Sequence, residues 1–177
     1  MKLRLLPYSL ISVIAFSCLS SCLGNNDNIT DYSGWKAENE AYIENAEMET
    51  ENGRLVYEKI SPVWDNNVYI LMHWVSDREE TAGELTPLSN STVRIKYTLT
   101  NIEGDTIDSS PSFNCKPNGM ITGFWTALTN MHVSDTVNVI VPYNAGYGAY
   151  GSGSVLPFST LLFGIRLDSI ISYEKRW

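Results

Sequence analysis

From Thr92 to Thr100 the chain reads TVRIKYTLT, with Val93, Ile95, Tyr97 and Leu99 alternating against Arg94, Lys96, Thr98 and Thr100. Extended backbone sends successive side chains to opposite faces, so this period of two predicts a strand with one apolar and one polar side. Two later segments repeat the pattern: Val137, Val139 and Val141, then Leu161, Phe163, Ile165 and Leu167. Between the first strand and these two, Ile121, Phe124 or Trp125, Leu128 and Met131 recur at helical spacing in ITGFWTALTNM and predict one short helix. Several strands around a single short helix predict an α+β domain, with the helix packed on an antiparallel sheet.

The flanking sequence adds to this frame. In GWKAENEAYIENAEM, residues 34–48, Trp35, Tyr42, Ile43 and Ala46 share one side of a helix, and Glu40, Glu44 and Glu47 the other. Polar Asn39 interrupts the apolar stripe. After Gly53, residues 55–60 (LVYEKI) read as a strand. The nearly unbroken apolar run VYILMHWV, residues 68–75, reads as a strand buried on both faces. Residues 76–91 read as a loop, 102–105 as a turn, and 106–118, with Pro111 and Pro117, mostly as loop.

Of 177 residues, 44% are hydrophobic and 18% charged, enough apolar material for one core. Twelve Lys plus Arg stand against 20 Asp plus Glu, a net charge of −8. That balance excludes nucleic acid as a partner, because phosphates need cations to displace their counterions. Three cysteines and two histidines are too few for a zinc cage or a disulfide scaffold. The chain begins with Lys2 and Arg4, followed by the uncharged run LLPYSLISVIAFS at 5–17. Thirteen residues suit the core of a signal peptide, whereas a membrane-spanning helix needs roughly 20. Leu19, Ser20, Ser21 and Cys22 then resemble the bacterial lipobox, in which small residues precede a cysteine that is lipidated after cleavage. Loss of residues 1–21 leaves 10 basic and 20 acidic side chains. Anionic lipid repels such a chain, so attachment falls to acyl chains on Cys22.

Conventional catalytic motifs are missing. Gly146, Gly148 and Gly151 spell G-x-G-x-x-G, but SGSVLPF follows, where a dinucleotide site requires a helix start to hold pyrophosphate. His73, alone in an apolar strand, reads as a hydrogen-bonded core residue rather than a metal ligand, and His132 as a residue at the helix end. Cys115 has no histidine nearby to activate it and reads as a small buried hydrophobe.

In order along the chain, VRIKYTL, GDTIDSS, MITGFWTAL with Met131, VPYNAGYGAYG and VLPFSTLLFGIRL resemble the FKBP-type peptidyl-prolyl cis–trans isomerases. The resemblance runs from Thr92 to Leu167, covers residues 53–91 only loosely and leaves out 23–52. It implies a curved antiparallel sheet wrapped around the short helix with an apolar pocket between them, here with an extra N-terminal helix and an extra strand. It further implies Tyr97 and Phe163 in the pocket walls, Asp108 at the rim, and Phe124 at the floor where the family commonly has tryptophan. Ile107 stands where phenylalanine is common. Met120 and Ile121 precede the helix, the Ile121 N–H facing ligand. Tyr147 directs its hydroxyl at a substrate carbonyl, and Val155 and Leu156 form a flap, Leu156 replacing a usual proline. Of these, Tyr147, Asp108 and Tyr97 are the catalytic candidates; the rest bind substrate.

Three divisions are expected: a lipoprotein signal at 1–21, a lipidated tether with the acidic helix at 22–52, and the FKBP-like domain at 53–177. The function implied is a lipid-anchored isomerase that assists folding in the bacterial envelope, on its periplasmic or outer-membrane face. It acts on proline-containing segments and needs neither cofactor nor metal. The alternatives are a peptide- or protein-binding module without turnover, and a structural lipoprotein whose strand 68–75 pairs with a partner at a sheet edge. Cys22→Ser is expected to abolish labelling of the chain by a fatty-acid analogue; undiminished labelling would remove the anchor at this residue.

Overall fold

The computed structural model describes residues 30–173; the signal-like run, Cys18 and Cys22 lie outside the described residues. In chain order the elements are α1 (Ser33–Met48), β1 (Thr50–Glu51), β2 (Arg54–Leu55), β3 (Glu58–Ile60), β4 (Ile70–Trp74), α2 (Arg78–Thr81), β5 (Thr92–Thr100), β6 (Thr106–Cys115), α3 (Thr122–Leu128), β7 (Thr136–Val141) and β8 (Leu161–Ser172). Six strands form one antiparallel sheet in the order β3-β4-β7-β8-β5-β6. Alternation along β5 and β8 sets its frame. Ile95 lies opposite Leu167, Tyr97 opposite Ile165 and Leu99 opposite Phe163, so the inner face is apolar. Val137, Val139 and Val141 extend that face, and α3 packs Phe124, Ala127 and Leu128 onto it.

The outer face has a second, smaller apolar cluster under α1. Ile43 and Ala46 of the helix meet Leu71 and Ile140 of the sheet, with Tyr42, Tyr57, Tyr69 and Leu162 at the margins. Leu71 therefore belongs to one core while its neighbours Ile70 and Met72 belong to the other, as a strand buried on both faces requires. Asn39, the break in the helix's apolar stripe, is fully buried. Its Oδ1 accepts the Thr160 N–H at 2.6 Å, and its Nδ2 donates to the Trp35 carbonyl at 2.8 Å. A buried amide whose hydrogen bonds are made is retained without penalty. Helix and sheet fall in one compact unit that begins at Asp31.

Several expected elements differ. Residues 106–115, expected mostly as loop, form β6 at the sheet edge. The register slips between Ser110, opposite Tyr97, and Phe113, opposite Ile95. Pro111 falls in that slip, where an edge strand at a bulge has no use for the missing N–H. The strand expected at 55–60 is two pieces, β2 and β3. β1 and β2 are joined by Asn52 and Gly53 at φ of 51° and 78°, the left-handed pair of a two-residue hairpin turn. The loop at 76–91 includes the single turn α2, started by Asp77, whose side chain accepts the Glu79 N–H. Strand 68–75 does not lie at an edge: β4 is flanked by β3 and β7, which removes the reading of a free strand there.

The helix sits close to the sheet because Gly123 has no side chain. A Cβ there would lie 2.3 Å from Cγ1 of Val141, which is fully buried and cannot turn away. Gly123→Ala gains about 1 kcal/mol of helix propensity but meets an overpacking cost of roughly 1–3 kcal/mol. Net destabilisation in urea unfolding is therefore expected, and Val141→Ala in the same chain is expected to recover part of it.

Candidate active site

Tyr97 stands at the centre of the apolar face between sheet and helix. Its ring meets Phe113 of β6 edge-on at 5.6 Å between centroids, Phe124 of α3 at 6.0 Å, and Phe163 of β8 at a tilt at 6.5 Å. Phe124 and Phe163 are themselves edge-to-face at 4.9 Å. Such arrangements place the positive edge of one ring on the negative face of the next, each contact contributing about 0.5–1.5 kcal/mol beyond area burial. Strands from three positions in the sheet and one helix thus converge on a four-ring cradle. Phe124 is almost fully buried and forms its floor; Ile107, Met120 and Ile121 are partly buried against the same core, and Val155 is buried.

One end of the cradle is polar. The Tyr97 hydroxyl donates to Oδ2 of Asp108 at 2.5 Å, while Oδ1 of Asp108 accepts the Ser109 N–H at 2.8 Å. Both carboxylate oxygens are thereby held, and the carboxylate in turn fixes the phenol. Burial, the Asp108 hydrogen bond and the nearby Asp108 charge push the Tyr97 phenol up to about 12, and Tyr147 adds to the shift. Tyr147 is partly exposed, and among the described residues its hydroxyl has no hydrogen-bond partner. The Ile121 N–H, at the start of α3, likewise meets no acceptor among the described residues. Two donors, one at the start of α3 and one in the loop after β7, are therefore without partners among the described residues.

The structure places Tyr97, Phe124 and Phe163 in ring contact, with Asp108 on the Tyr97 hydroxyl. Leu156 is left about half exposed. Sequence reasoning misses Phe113 because Pro111 and Pro117 make its segment read as loop. Its alternation with Cys115, two residues on, is the signal that reveals it. Trp125 points away from the cradle and stacks on Trp64 at 4.0 Å, leaving Phe124 as the floor. A separate cleft of about 460 Å³ lies beside that stack, between Pro62–Trp64, Pro87–Asn90 and the Thr126 side of α3.

Other candidates are structural in their surroundings. Cys115 is buried, and burial pushes its thiol up to about 11, the reverse of what a nucleophile needs. His73 is half-buried and edge-on to Tyr57 at 5.9 Å; among the described residues its ring has this aromatic contact in place of the expected hydrogen bond. His132 lies just beyond α3 with Nδ1 3.7 Å from the buried carboxylate of Asp135. Among the described residues no three His, Cys, Asp or Glu side chains gather as a metal site.

The geometry fixes a titration. The folded chain holds the Tyr97 proton above the ordinary phenol value of about 10, so this contact stabilises the fold fully below that pH and is lost as pH climbs through about 12. Tyr69, pushed up to about 12 chiefly by burial and Glu47, titrates in the same range. In ultraviolet titration Tyr97→Phe is expected to remove one phenol from that late fraction and leave the other. An unchanged late fraction would place Tyr97 in solvent.

A sequence profile described as FKBP-type peptidyl-prolyl cis–trans isomerase matches residues 83–168. The FKBP-type 22 kDa peptidyl-prolyl cis–trans isomerase of Escherichia coli K12 is 37% identical over 90 residues, 48% of this chain and 44% of that protein. FK506-binding protein 1 of Dictyostelium discoideum is 36% identical over 97 residues, 50% of this chain and 89% of that protein. The match thus spans less than half the length of the first relative and nearly all of the second. Among solved structures, a peptidyl-prolyl cis–trans isomerase of Pseudomonas syringae superposes with a TM-score of 0.66 at 20% identity, over 79% of this chain and 96% of that one. That likeness carries the fold, and the sequence matches carry the rest: the chain belongs to the family of FKBP-type peptidyl-prolyl cis–trans isomerases.

Proposed function

We propose that this chain catalyses prolyl cis–trans isomerisation in the cradle of Tyr97, Phe113, Phe124 and Phe163, as a lipid-anchored folding assistant of the bacterial envelope. The observation that carries the reading is the pairing of an interlocked aromatic wall with two unpartnered donors, the Tyr147 hydroxyl and the Ile121 N–H. Rotation about an X–Pro bond faces a barrier of roughly 18–20 kcal/mol because the planar amide is held by resonance. The twisted state has lost that resonance and is less dipolar, so an apolar wall disfavours it less than it disfavours the planar amide. No bond to carbon is made or broken. The work divides between the rings, which take the proline, and the donors, which hold flanking carbonyls in place. Asp108 acts through Tyr97, fixing the ring whose face closes one side. Envelope placement rests on Lys2, Arg4, the apolar run at 5–17 and Ser20-Ser21-Cys22.

A protease-coupled assay with short proline peptides tests the activity. The full chain is expected to accelerate isomerisation in proportion to its concentration. Tyr147→Phe removes one neutral hydrogen bond and is expected to lower kcat/KM roughly two- to tenfold without altering the unfolding midpoint. Phe163→Ala, which opens the wall, is expected to lower it further. A rate equal to the uncatalysed one with several residues before proline would leave a binding module without turnover.

A further inference from the structure

The loop of residues 146–158 carries Tyr147 and Val155 on a backbone rich in glycine, with Gly148, Gly151 and Gly153 at positive φ. Such a segment loses much conformational freedom when it orders around a substrate. Its two stems are nevertheless held, and the same helix holds both. On the outgoing stem, the Trp35 indole N–H donates to the Ser159 hydroxyl at 3.1 Å, and Asn39 takes the Thr160 N–H at 2.6 Å. The Thr160 hydroxyl donates to the Asn39 carbonyl at 3.4 Å. On the incoming stem, Tyr143 packs edge-on to Phe158 at 5.4 Å, and the Lys36 ammonium lies 6.0 Å from the first ring and 5.6 Å from the second. Phe158 itself has φ of 61° while donating its N–H to the Gly148 carbonyl at 3.0 Å. A bulky residue keeps that left-handed backbone only where its surroundings over-determine it.

We propose that α1 is a clamp on the loop of residues 146–158, and that Trp35, Lys36 and Asn39 are positioning residues that keep Tyr147 and Val155 poised over the cradle. The helix lies on the outer face of the sheet and contributes no ring to the cradle, so its influence passes through the loop stems at 143 and 158–160. A clamped loop spends more time in the arrangement that takes substrate. Apparent affinity falls in proportion when that fraction falls, while the rate from the filled site is unchanged. The clamp's effect therefore falls on KM. Its geometry stands independently, but its consequence for turnover rests on the isomerase reading above.

Two conservative changes in the full chain test it. Trp35→Phe removes the indole donor and keeps an aromatic ring; Lys36→Met keeps the stem and removes the charge. Asn39→Ala is the stronger third variant. Hydrogen–deuterium exchange read by mass spectrometry is expected to quicken in residues 146–158 of each variant, with β5 and β7 unchanged. KM for a proline peptide is expected to rise roughly three- to tenfold at nearly constant kcat, the range a net hydrogen bond sets through the competent fraction. Exchange in the loop that does not change, or that rises equally throughout the sheet, overturns the clamp, as does a fall in kcat at constant KM. If the unaltered chain turns over no proline peptide, the isomerase reading is what fails, and loop exchange alone decides the clamp.

Discussion

The register between β5 and β8 is the constraint on which the architecture depends. Side chains alternate strictly, so sliding β5 by a single residue would carry Ile95 and Leu99 to the outer face and bring Lys96 inward, and sliding β8 would do the same to Phe163, Leu167 and Arg166. The cost of burying those charges without partners far exceeds any gain, and the register is fixed by that penalty as much as by the apolar contacts. Once it is fixed, Phe163 lies diagonally across from Tyr97. The remaining cradle residues are then delivered by the neighbours on either side: Phe113 by β6, which pairs with β5, and Phe124 by the helix that Gly123 lets settle on Val141.

The parts of the fold legible in the sequence are those in which one period dominates. β5 reads without ambiguity because its nine residues never break alternation, and β4 reads as doubly buried because an apolar run of that length has no solvent face. Where two signals compete, the reading goes astray. In β6 the prolines argue for a loop and the alternation of Phe113 with Cys115 argues for a strand; the edge position, visible only in three dimensions, reconciles them. Asn39 interrupts an apolar stripe in sequence, yet it is among the most deeply buried residues of α1, because its partner Thr160 lies 121 positions away. No local pattern carries a contact at that separation.

The site is legible to a similar degree and for the same reasons. Tyr97, Phe124 and Phe163 sit on elements whose periodicity fixes their direction, whereas Asp108 falls in a segment that reads as loop and is reached only through the family resemblance; the structure brings all four within ring or hydrogen-bond contact. Val155 and Leu156 sit in a turn where neighbours diverge, and only the first is buried. Phe124 as floor follows from the resemblance, and helical geometry, with adjacent residues about 100° apart, keeps Trp125 from taking its place. Trp64, from a segment with no regular pattern, takes up the second indole and so keeps it out of the cradle.

The two borders of the sheet bear on how this protein behaves when many copies share a small space. At one border stands β3, only three residues long; at the other, β6 is interrupted at Pro111. Each presents too short a row of free amide and carbonyl groups for a foreign strand to zip along. Copies crowded together, or mingled with the partly unfolded chains an isomerase would meet, are thereby kept from growing into one another as continuous ribbons. The sheet meets its surroundings with a closed hem rather than an open row of partners.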